Sequence, residues 1–108
     1  MSQYNPPLRD YQFVLHELLG AEKELAALPP FAEVNRELMD QVLEEGGRFC
    51  ADILFPINRI GDEEGCRHEG NGVVRTPKGY KEAWDQFRKA GGPTLTCTPD
   101  YGGQGLPM

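Results

Sequence analysis

The chain has 108 residues, enough for about one domain with a modest core. Its hydrophobic fraction of 39% and charged fraction of 26% are those of ordered globular proteins, which sets disorder aside. Seventeen acidic against eleven basic side chains give a net charge of −6, and the basic residues are scattered, which argues against nucleic acid as a partner. No apolar run approaches the ~20 residues of a membrane helix. The opening MSQYNPPLRD lacks the basic-then-apolar pattern of a secretory leader, so the cytoplasm is the expected location.

In chain order, the spacing of Leu8, Tyr11, Val14, Leu15, Leu18 and Leu19 predicts a first helix over about 8–19, with Gly20 as its left-handed cap. A short second helix is expected over 21–27, ended by Pro29-Pro30, with irregular chain over 29–34. The longest element is expected over 35–60, starting from Asn35 as N-cap. Its apolar stripe is Met39, Val42, Leu43, Gly46, Cys50, Ile53, Ile57 and Ile60. The stripe runs straight through Gly46-Gly47, although each helix-interior glycine costs about 1 kcal/mol against alanine. Either another backbone comes close at a glycine on the buried stripe, or the helix bends or breaks at the pair. Pro56 cannot donate to the Asp52 carbonyl, so a kink is expected near it. The GDEEG stretch reads as the solvated acidic exit of the helix, because it lacks the alternating ligands of a calcium loop.

Next, Gly70-Asn71-Gly72 between two short extended runs predicts a small β-hairpin over about 66–76. Thr76-Pro77 reads as N-cap and first residue of a helix over 77–90. Tyr80, Ala83, Trp84 and Phe87 share its apolar face, which is core or interface, and Gly91 stops it. The remainder carries no helix signal. The fold class is therefore mainly α, three or four helices with one hairpin, and there is no strand–helix alternation of a nucleotide-binding sheet.

Chemistry is sparse. Ser2 is the only serine, so a serine triad is not suggested, and His16 sits between apolar neighbours as packing or surface. Glu17, Glu22, Glu24, Glu44 and Glu45 are what solvated helix faces carry, and no general acid or base stands out among them. Cys66 and His68 form a C-x-H pair, but a zinc site needs four ligands, and Cys50, Cys97 and His16 lie far off in sequence. The residues alone thus nominate no catalytic, cofactor-binding or metal site. Gly102, Gly103 and Gly105 do not form G-x-G-x-x-G and no helix follows them, so a tight turn with positive φ is expected in place of a phosphate cradle.

Read together, four stretches resemble the acyl-CoA dehydrogenase family. PDYGGQGLP (99–107) resembles its P-E-x-G-G-x-G segment, with Asp100 where the family has glutamate. RFCADILFPINRIGDEEG (48–65) and VVRTPKGYKEAWDQFRKAGG (73–92) are similar to two early elements of its N-terminal helical domain. YNPPLRDYQFVLHELLG (4–20) resembles the N-terminal extension of a longer bacterial subgroup that includes methylmercaptopropionyl-CoA dehydrogenases. The resemblance implies an extension over 1–30 and the start of a truncated helical domain over 31–108. It implies a parent enzyme using FAD for α,β-dehydrogenation of an acyl-CoA and passing electrons to an electron-transferring flavoprotein. The base and the flavin site are expected beyond residue 108, which leaves this chain inactive, without flavin of its own, and prone to self-association through uncovered helix faces. The alternative is an autonomous helical interaction module; a thiol or metal regulator rests on Cys66 and His68 alone.

Overall fold

The computed structural model describes residues 3–108; Ser2 lies outside them. Among the described residues there are four helices and one two-stranded antiparallel hairpin, as the sequence patterns predict. Helix α1 covers residues 8–18, helix α2 Ala21–Ala26, helix α3 residues 36–64 and helix α4 Tyr80–Lys89; strands β1 and β2 are Arg67–Gly70 and Val73–Arg75. The elements form a slab of 53 × 38 × 18 Å with a radius of gyration of 17.5 Å, against about 13 Å for a compact chain of this length. Only Val34 and Ala83 are buried among the described hydrophobic side chains, and no large side chain is fully enclosed.

Helix α3 organises this slab. Asn35 caps it, its side-chain oxygen accepting the Leu38 N–H at 2.8 Å. The rod passes the Gly46-Gly47 pair without a break. The close approach falls on Gly47, one residue from the expected Gly46: an added Cβ there would stand 3.0 Å from Pro6 Cβ and 3.3 Å from Leu8 Cδ2, whereas Gly46 has open space. Pro56 is accommodated on its N-terminal side by a π segment, Cys50–Leu54, in which the Phe55 N–H reaches back to the Cys50 carbonyl. An inserted π turn is a known way for a helix to absorb a defect without ending.

The helix also runs past the expected stop at residue 60. Arg59 and Glu63 bridge one turn at 2.7 Å, and the end comes at Gly65, with φ 62°. The GDEE stretch is thus its last turn rather than its exit, since glutamate favours helix and an i,i+4 pair supports one more turn. Conversely, α4 begins at Tyr80, later than the Thr76-Pro77 signal predicts. Gly79 has φ 89°, outside the helical region, so Pro77–Gly79 form a turn in which the Pro77 carbonyl accepts the Tyr80 N–H.

The N-terminal arm lies along α3. Tyr4 stacks on Phe55 with ring centroids 6.3 Å apart, Pro6 and Leu8 sit over Gly47, and His16 Nε2 donates to Asp40 Oδ1 at 2.6 Å with its side chain only 3% exposed. Helix α1 changes from α winding over Leu8–Gln12 to π winding over Phe13–Leu18. Each π turn holds an extra residue, so the helix phase drifts. Leu8, Leu15 and His16 turn inward, while Tyr11, Val14, Leu18 and Leu19, expected on the same face, stand exposed; of these, Val14 and Leu18 lie within the π segment and Tyr11 precedes it. Gly20 ends α1 at φ 57°, as its position predicts.

In the hairpin, Asn71 and Gly72 both have positive φ, the geometry of a two-residue turn matched to the twist of the strands. Arg67 pairs with Arg75 and His68 with Val74, and a bulge falls between His68 and Gly70.

Three substitutions test this packing. Gly46→Ala stabilises the chain by about 0.5–1 kcal/mol, because it removes backbone entropy and meets nothing. Gly103→Ala costs about 1–3 kcal/mol, because its Cβ would overlap the Cys97 backbone; urea midpoints of the two variants must move in opposite directions. Asp40→Ala leaves a buried imidazole without its partner and costs about 1–3 kcal/mol. Hydrogen exchange must then rise across residues 8–18 before it rises in α4.

Candidate functional site

An apolar groove of about 1040 Å³ lies between α3, α4 and the C-terminal loop. Its floor is the α3 stripe, including Phe49, Ile53 and Ile57; its wall is the α4 stripe of Tyr80, Trp84 and Phe87. Small residues bring the two together. Ala83 is 4% exposed, a Cβ on Gly79 would stand 2.8 Å from Ile57 Cγ2, and the Tyr80 phenol occupies the space a Cβ on Gly61 would need. Phe87 lies 5.7 Å from Phe49 and 5.9 Å from Trp84, centroid to centroid, within the range of favourable tilted aromatic pairs. The α4 stripe was legible as core or interface. In this chain the stripe lines the groove, and Trp84 remains 55% exposed.

The glycine-rich loop folds on itself beside this groove. The N–H groups of Gly103, Gln104, Gly105 and Leu106 donate to the carbonyls of Thr98, Thr94, Cys97 and Leu95 at 2.8–3.2 Å. Gly102 and Gly105 take φ of 79° and 65°, as a tight turn requires. Gly103 sits against the Cys97 backbone, where only glycine fits. With these N–H groups spent internally, the loop does not fit the phosphates of a dinucleotide. The single-turn segments Gly92–Thr94 and Pro99–Tyr101 shape its two ends, and Gly91 stops α4 at φ 80°.

The residues weighed for chemistry stay apart. Glu17, Glu22, Glu24, Glu44 and Glu45 are exposed, and the one titratable side chain shown above to be enclosed, His16, is held by Asp40. Asp62, Glu63 and Glu64 are also exposed; Glu63 pairs with Arg59, and Glu64 accepts the Lys78 N–H at 3.1 Å. Cys66 and Cys97 are exposed and Cys50 lines the groove, all as free thiols. His68 lies on β1 and His16 is held by Asp40. Among the described residues, no three potential metal ligands converge. The arrangement supplies a shaped apolar surface, with no nucleophile–base pair along it. No helix in the described residues is long and apolar enough to cross a membrane.

No protein-family model matches the chain. Two curated proteins are similar to it. The 3-methylmercaptopropionyl-CoA dehydrogenase of Ruegeria pomeroyi is 41% identical over 104 residues, 96% of this chain and 17% of that protein. The butyryl-CoA dehydrogenase of Syntrophomonas wolfei is 30% identical over 86 residues, 78% of this chain and 14% of that protein. The chain therefore spans about a sixth of the length of these relatives. Sequence likeness across nearly every element, from the arm to the glycine loop, places this chain in the acyl-CoA dehydrogenase family as a segment of its much longer members.

Proposed function

We propose that the chain is the N-terminal portion of an FAD-dependent acyl-CoA dehydrogenase, with the arm through residue 30 as an extension and residues 31–108 opening its helical domain. The parent enzyme oxidises the Cα–Cβ bond of an acyl-CoA in the cytoplasm and passes electrons to an electron-transferring flavoprotein. Both relatives carry short acyl groups in their names, which favours a short-chain thioester as substrate. The observation that carries this reading is the likeness to the Ruegeria protein over 104 residues. The glycine loop, whose N–H groups are bonded within the chain, supports placing the phosphate contacts of the flavin elsewhere in the parent. The role left for these residues is structural: a helical wall whose apolar groove is completed by other parts of the enzyme.

A second reading, an autonomous interaction module, is favoured by one feature, the exposed aromatic wall at Trp84. Expression of the complete reading frame separates the two. The expected product extends past Met108, retains stoichiometric flavin, and is bleached anaerobically by butyryl-CoA or 3-methylmercaptopropionyl-CoA. The 108-residue chain purified alone is expected to be colourless and to turn over neither thioester. Stoichiometric flavin on that short chain, or a natural stop after Met108, overturns the proposal.

A further inference from the structure

We draw no further inference here: the strongest candidate, the apolar groove between α3 and α4 with Trp84 on its wall, stands open in a chain that spans about a sixth of its relatives, and nothing in the structure shows what covers it.

Discussion

The structure depends on one helix remaining continuous across three residues that would each be expected to interrupt it. Gly46, Gly47 and Pro56 all lie within residues 36–64, and the rod survives them by different means. Gly47 is used: its missing side chain is the seat of Pro6 and Leu8. Pro56 is absorbed by the π segment that precedes it. Had the helix broken at either place, the arm and α4 would lose their common support, because each rests on a different face of the same rod. Gly47 and Asp40 carry the arm, while the stripe through Phe49, Ile53 and Ile57 carries α4.

A rod with two single-sided partners makes a slab, and a slab has little interior. This explains why so few hydrophobic side chains are enclosed although the composition is ordinary. The aromatic residues of α4 are not misplaced surface; they are regularly spaced, mutually packed and aimed at a groove with room to spare. The same groove is also lined by Glu45, Arg48 and Asp52, and it stands open in this chain. It accords with family relatives about six times longer than this chain.

Local signals were legible in the sequence where a backbone requirement and a residue type coincide. Asn35, Gly20, Gly91 and the Asn71-Gly72 turn stand where their chemistry places them, and the stripes of α3 and α4 were readable from period alone. The failures share a cause, namely a choice settled by a neighbour. Thr76-Pro77 is a sound helix start taken by itself, but Gly79 at φ 89° beside Ile57 forces a turn first. The stop at residue 60 was misjudged because the Arg59–Glu63 bridge extends the helix one turn. The facing of α1 differs from its apolar spacing partly because a π turn has no marker in the hydrophobic pattern, and Val14 and Leu18 within it stand on the outside. The His16–Asp40 pair joins residues 24 positions apart, and nothing local announces it.

The glycines sharpen the distinction between geometry that serves the fold and geometry that serves a ligand. Glycine-rich loops invite a reading as phosphate sites because their backbones approach a ligand closely. In PDYGGQGLPM the approach is to the chain itself. Gly103 lies against Cys97, and the N–H groups that would face an anion are already bonded to residues 94–98. Gly61, Gly79 and Gly92 work in the same manner, each making room for a side chain: Tyr80, Ile57 and Phe87. Within PDYGGQGLP, Gly103 and Gly105 thus pack the terminal loop onto Cys97 and Pro99, while Gly79 and Gly61 let α4 approach α3.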